Sequence, residues 1–333
     1  MRPFALIVCT YMRPKPLLAL LESVGRQELY PGQIIVVDGS RDTRTRDLLT
    51  ETPFGNLEYF LVDEDNRGLT RQRNYGIARL SPKIEIACFL DDDIVLEPDY
   101  FANLIATYDT FPDALGVGGY ILGEALWRRV DSSYRPSITE FAYDGYVRRD
   151  PSRFVLRKRL GLDSDVPPGF SPSFSHGRSL GFLPPSGKIY PVRQLMGGVS
   201  SFRAEVFKRF SFSHYFEGYG LYEDADFTLR VSAAGPLYLN TSATLHHHHD
   251  PSGRPNQFNY GKMVVRNGYY VWRVACPDPP FKSIVKWHMT TWLLTIVRLG
   301  NAFSGPDRMQ AFTESLGRTA GWFALLWNKP RPI

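Results

Sequence analysis

Three neighbouring carboxylates, Asp91-Asp92-Asp93, follow directly on the apolar run IEIACFL (84–90). A strand points alternate side chains to one face, so Asp91 and Asp93 should project together. Adjacent carboxylates repel one another, and a hard divalent cation offsets that cost. Mg²⁺ or Mn²⁺ typically takes one or two protein carboxylates together with phosphate oxygens of a substrate. Such a cation would neutralise a diphosphate as it binds or leaves. A second acidic cluster, Glu223-Asp224-Ala225-Asp226, opens a predicted helix. The helix dipole there favours an ionised Asp224, which leaves two readings: a general base for an attacking hydroxyl, or a helix cap. Four histidines at 246–249 follow the strand-like SATL and precede Asp250-Pro251, so they read as native chain. An imidazole at that strand end could reach a metal, and it suits Mn²⁺ or Zn²⁺ better than Mg²⁺. No HExxH or cysteine-rich pattern calls for a structural zinc site.

Short apolar runs alternate with helix-period segments ahead of these residues. FALIVC (4–9) reads as a buried strand ending at Thr10, and Leu17, Leu20, Leu21 and Val24 recur at helical spacing. QIIVVD (33–38) is a second strand with Gly39-Ser40 as its turn, 57–62 a third and 84–90 a fourth. A helix over 69–80 precedes the fourth strand, and another follows Pro98. This alternation predicts an open α/β sheet of parallel strands covered by helices. Ligands bind beyond the carboxyl ends of such strands. Thr10, Asp38, Asp63-Glu64-Asp65 and Asp91-Asp92-Asp93 should therefore ring one crevice. Residues 121–190 are rich in Pro, Gly, Ser and Arg, and 166–187 show no period. They read as an irregular insertion shaping the acceptor side, or as a disordered linker. Order is expected again over 192–202, in helices near 204–209 and 223–234, and in two short strands at 237–240 and 243–247. From Asn256 onward the pattern is helical.

The chain has 333 residues, 43% apolar and 22% charged, which suits a globular protein with a sizeable core and one large domain or two ordinary ones. Three cysteines, far apart, favour a reducing compartment over a disulfide framework. A short first apolar run without a cleavage site, and no stretch near the roughly 20 apolar residues of a span, predict a cytoplasmic protein. The net charge of +5 favours anionic partners, but no zinc-finger, helix-turn-helix or RNP pattern points to nucleic acid. Near the C-terminus Trp287, Trp292, Trp322 and Trp327 stand among Lys282, Lys286 and Arg298. The charge-free stretch 287–297 makes only about 16 Å of helix and cannot span. It suits peripheral contact with the inner membrane face, or a helical cap on the catalytic domain or another subunit.

In order, LIVCTYMRPKPLLALLESVGRQ, IIVVDGSRD, NRGLTRQRNYGI, FLDDDIVLEPDYF, MGGVSSFRAEVFKRF and GYGLYEDADFTLRV resemble the inverting glycosyltransferases of family 2, over about residues 4–270. The resemblance implies the GT-A fold, a Rossmann-like mixed sheet covered by helices, here with a C-terminal helical extension. It implies a catalytic domain over 1–255 (nucleotide-binding half 1–120, insertion 121–190, catalytic-base half 191–255) and an extension over 256–333. It also implies a nucleoside-diphosphate-sugar donor, UDP- or dTDP-linked, with Mn²⁺ or Mg²⁺ and a glycan or lipid-linked acceptor in polysaccharide or cell-envelope biosynthesis. Thr10, Tyr11, Arg13, Asp38, Asn66, Arg73, Asp91 and Asp92 are then donor-binding. Asp91 and Asp93 hold the metal, Asp93 the more directly and Asp91 nearer the ribose; Asp224 becomes the catalytic base, and His246 binds metal with His248 as runner-up. Gly197-Gly198 matches the turn beside donor sugar and acceptor. Two departures stand out: Gly39 occupies a position where a second acid is usual, and the insertion carries no family signature. The rival readings are a nucleotidyltransferase, which would ordinarily bring a Gly-rich phosphate loop absent here, and a catalytically silent nucleotide- or glycan-binding module.

Overall fold

Strand β1 (Phe4–Thr10) and strand β2 (Gln33–Asp38) are built almost wholly from buried residues, as continuous apolar runs in a doubly covered sheet should be. The computed structural model describes residues 2–248 and 256–332; His249, Asp250 and Pro251 lie outside the described residues. The chain divides into two units, Met1–Glu124 with Pro185–Gly253, and Ala125–Pro184 with Arg254–Ile333.

The first unit carries β1 and β2 with β3 (Leu57–Leu61), β4 (Ile86–Asp91), β5 (Ile94–Leu96) and β6 (Gly116–Ile121). Its helices in this stretch are α1 (Pro14–Gly25), α2 (Arg44–Glu51), α3 (Leu69–Ile77) and α4 (Tyr100–Thr110). Proline at the first turn starts α1, whose missing N–H costs nothing there, and Leu17, Leu20, Leu21 and Val24 form its buried stripe. Strands β3, β2, β1 and β4 lie side by side and parallel. Beyond β4 the sheet becomes mixed. Of the later elements, β11 (Val199–Arg203) runs antiparallel between β4 and β6, and β12 (Leu237–His247) pairs parallel with β6. An edge strand, β10 (Ile189–Val192), completes the path, and α6 (Glu223–Ser232) lies between β11 and β12 in sequence.

Patterning suggests two short strands over 237–247, where the chain runs as one strand. Its register against β6 shifts between Leu239 and Thr244, an irregularity that interrupts alternation without ending the strand. The segment near 204–209 is a 3₁₀ turn, Ala204–Lys208. Strand β5 folds back from the acidic turn to pair antiparallel with the end of β12, setting Ile94 opposite His247 and Val95 opposite His246.

The second unit holds a small sheet of β7 (Arg128–Arg129), β8 (Glu140–Tyr143) and β9 (Tyr146–Arg149), and the helix α5 (Ser152–Arg159). These elements fall within the Pro- and Arg-rich stretch. Residues 166–187 there contain only one 3₁₀ turn, Leu180–Phe182. Arg178 is buried among Phe141, Phe154 and Phe182 and neutralised by Asp150 and Asp163. Helices α7 (Gln257–Ala275), α8 (Phe281–Ser304) and α9 (Arg308–Ala324) form the rest, with Trp272 stacked on Trp287 at 5.3 Å. Among the described residues no helix is long and apolar enough to cross a membrane.

Gly119 in β6 shows how tightly the first unit is packed. A Cβ there would lie 2.5 Å from the ring of the buried Tyr100 and 3.0 Å from the Ala243 carbonyl. Gly119→Ala should therefore lower stability by about 1–3 kcal/mol, read as a lowered urea midpoint with unchanged slope.

Candidate active site

The carboxyl ends of β1 and β4 form the floor of the site. Residue 91 is the last of β4, and the turn that follows sends the three aspartates to different partners. Asp92 turns inward, accepting hydrogen bonds from the Thr10 hydroxyl and from Arg13 Nη1, both at 2.6 Å. Its burial pushes the carboxyl up to about 6, against the pull of those two donors. Asp92, Thr10 and Arg13 thus hold one another at the floor, and Arg13 also reaches Asp93 at 3.5 Å. Tyr11, the next residue of the chain, is exposed.

Asp91, Asp93 and His247 converge, with one ligand atom of each within 4.8 Å of the others. His247 Nε2 lies 3.0 Å from Asp93 Oδ1, and that hydrogen bond raises the imidazole's proton affinity. His246, the histidine expected here, points away to Glu97 at 3.0 Å, while His248 meets Asp93 only through its backbone N–H. The reason is strand alternation: Ala243 and Leu245 face the core, and two residues on, the same face carries His247. That parity is legible in SATLHH. The histidine that joins the two carboxylates is one residue later than the one the resemblance assigns.

Arg73, from α3, sits beneath this cluster and is 3% exposed. It ion-pairs with Glu223 at the start of α6 and approaches Asp91 at 3.7 Å. Burial opposes charge on Arg73, but the two carboxylates outweigh it and hold the guanidinium charged. Burial likewise pushes the Glu223 carboxyl up, with Arg73 pulling it back and Asp224 adding to the rise. Arg73 also lies over the rings of Phe212 and Phe89. It is a buried strut of the site, whereas the sequence marks it as a donor contact.

The chain between β10 and β11 crosses this strut at Gly197-Gly198. A Cβ on Gly197 would fall 2.7 Å from both Arg73 Nη1 and Glu223 Oε1, and one on Gly198 would fall 2.0 Å from the Asp91 carboxyl carbon. Only glycine lets the backbone lie this close. The Gly197 N–H donates to Asp224 Oδ2 at 3.1 Å, and the Ala225 N–H donates to Asp224 Oδ1 at 2.7 Å. Asp224 and Asp91 thus flank the same two glycines, one at the N-terminus of α6 and one at the end of β4.

Asp38 ends β2 fully buried, accepting from the Ser40 N–H at 2.7 Å and the Tyr59 hydroxyl at 2.8 Å. Asn66 is tied to Asp63 through both its backbone and side-chain N–H groups. Neither is drawn into the Asp91–Asp93–His247 cluster. Type and spacing assign Gln72 no role, yet its amide nitrogen donates to the carbonyls of Thr10 and Val37 and so joins α3 to β1 and β2. Gly39 lies against it: a Cβ at that position would stand 3.1 Å from Gln72 Oε1, so an acid there would need Gln72 to move.

This is the floor of a GT-A fold. A mannosyltransferase from Pyrobaculum calidifontis, solved with GDP-Man and Mn²⁺, is similar over 99% of this chain and 89% of its own, with a TM-score of 0.56 and 15% identity. S. aureus TarS 1-349, solved with UDP, matches 92% of this chain and 77% of its own at TM-score 0.50 and 14% identity. Residues 5–165 match the family described as Glycosyl transferase family 2. A glucosyl-dolichyl phosphate glucuronosyltransferase of Haloferax volcanii is 32% identical over 130 residues, 38% of this chain and 40% of that protein. A putative glycosyltransferase, EpsH of Bacillus subtilis, is 31% identical over 104 residues, 31% and 29% of the two chains. The match thus spans less than half the length of either relative.

Removing the strut's charge should be costly. Arg73→Met leaves Glu223 buried without its countercharge and should lower the unfolding free energy by about 3–5 kcal/mol. The double variant Arg73→Met with Glu223→Gln should recover part of that loss in a urea-denaturation cycle.

Proposed function

We propose that this protein transfers a sugar from a nucleoside-diphosphate-sugar, UDP- or dTDP-linked, to a hydroxyl of a glycan or lipid-linked acceptor, with inversion at the anomeric carbon. The observation that carries the reading is the meeting of Asp91, Asp93 and His247 within 4.8 Å, separated from Asp224 by the two glycines. On this reading 1–255 is the catalytic domain and 256–333 its extension, working in polysaccharide or cell-envelope biosynthesis.

Two carboxylates and an imidazole are a donor set suited to Mn²⁺, and to Mg²⁺ less well. Asp91, Asp93 and His247 would hold the ion, which when bound supplies neutralising charge to the diphosphate. Asp224 has the geometry of a general base: its carboxylate is fixed by two backbone N–H groups and sits where the α6 dipole favours negative charge. It takes the proton of the acceptor hydroxyl as that oxygen attacks C1 from the side opposite the diphosphate. The bond from C1 to the diphosphate oxygen breaks, and the nucleoside diphosphate leaves with the electron pair. Asp92, Thr10 and Arg13 keep the floor in place, and Tyr11 beside them is open to a nucleotide. The relatives' names support a sugar-transfer reading, and that of the Haloferax protein includes a lipid phosphate.

Asp224→Asn should reduce transfer at least a hundredfold while leaving the affinity for a nucleoside diphosphate within about twofold, measured by product release and calorimetry. Transfer that survived the change would remove Asp224 from the chemistry; a donor that failed to bind the wild type would favour a silent binding module. The histidine register has its own test. His247→Ala should weaken Mn²⁺ binding by at least about tenfold, whereas His246→Ala should leave the calorimetric titration unchanged.

A further inference from the structure

The second unit presents an apolar face that its own core does not use. On α8 the inward side is occupied: Trp287, Thr290, Thr291 and Thr295 are buried, and Trp287 stacks on Trp272. Its other side carries Phe281, Val285, Met289, Ile296 and Phe303 at spacings of four or seven, all exposed. That spacing sets them along one stripe of a helix. On α9, Met309, Phe312, Leu316 and Phe323, at spacings of three, four and seven, are likewise exposed, as is Trp327 just beyond its end. Trp292 of α8 meets the ring of Phe323 at 6.5 Å, so the two stripes adjoin. Between α8 and the segment holding Leu160 and Leu162 lies an open groove of about 620 Å³. Beside the turn joining the two helices Phe303 is 77% exposed and Met309 75%.

Charge indicates what covers such a face. Residues 281–333 hold seven Lys and Arg against two acids, so the chain's entire excess of +5 resides in them. One of the two acids, Glu314, is buried and already bonded to Arg298 and Arg318. Lys282, Lys286 and Arg308 directly neighbour Phe281, Val285 and Met309 in the chain, with Lys286 packed over the Phe174 ring, and Lys329 and Arg331 follow Trp327. An apolar helical face with aromatic side chains and a basic border is complementary to an anionic bilayer surface, where the rings enter the headgroup region and the cations meet lipid phosphates. We propose that the α8–α9 hairpin docks on an anionic lipid surface, lying in its plane without crossing it. This rests on the second unit alone and stands or falls separately from the sugar-transfer reading.

The test is flotation of the full chain with vesicles of phosphatidylcholine containing phosphatidylglycerol, beside vesicles of phosphatidylcholine alone. The wild type should float with the anionic vesicles and return to the soluble fraction on phosphatidylcholine alone or at high salt. The variant F303S/M309S/W327S should lose at least about tenfold in bound fraction with an unchanged circular-dichroism spectrum. K282A/K286A/R308A should lose binding to a similar degree. A wild type that stays soluble with both vesicles overturns the proposal, as does equal flotation on both or flotation indifferent to the substitutions. Light scattering supplies the remaining outcome: a dimer dissolved by F303S/M309S/W327S, with no flotation, would overturn it in favour of a second copy of this chain.

Discussion

A single buried guanidinium holds the floor of the candidate site together. Arg73 reaches from the middle of α3 to Glu223 at the start of α6 and to Asp91 at the end of β4. These groups are far apart in the chain, and two of them would repel without a cation between them. Burying a charge is expensive unless its partners are well placed, and here the rings of Phe89 and Phe212 and the two carboxylates surround it. The arrangement fixes where α6 begins, and hence where Asp224 stands. Arg73 therefore positions the carboxylates on either side of it.

The neighbouring polar groups follow the same logic at smaller scale. Asp92 pins Thr10 and Arg13, Gln72 bridges the last carbonyls of β1 and β2, and Asp38 is consumed by Ser40 and Tyr59. Each joins a strand end to a turn or helix that arrives later in the chain. Asp91, Asp93 and His247 gather at the carboxyl end of β4, and Asp224 stands across the glycine pair from them. The two glycines at 197–198 keep the wall between them thin.

Much of this is legible from residue order. The strand runs, the crevice at their carboxyl ends, the pairing of Asp91 with Asp93 and the opening of a helix at Glu223 follow from period-two and period-3.6 patterning and from helix-terminus chemistry. The reach of Arg73 and Gln72 is not, because a long side chain's target depends on tertiary placement that spacing does not encode. The histidine register is readable from the parity of Ala243 and Leu245, and is lost only where a run of four identical residues meets a comparison by position. The long strand β12 reads as two because its register shift breaks the alternation on which strand reading rests. In the second unit, Arg178 organises three phenylalanines and two aspartates that no periodicity connects.

The fold-back of β5 onto β12 also has a temporal side. Asp93 and His247 are 154 positions apart, and closing so long a loop is slow compared with forming a helix or hairpin. While the chain is being made, the acidic turn is complete long before its imidazole, the glycine pair or Asp224 exists. Asp92 can already meet Thr10 and Arg13, but Asp93 still lacks its imidazole. The cluster can appear only once β12 has emerged and taken its place beside β5, so a partly made chain lacks it.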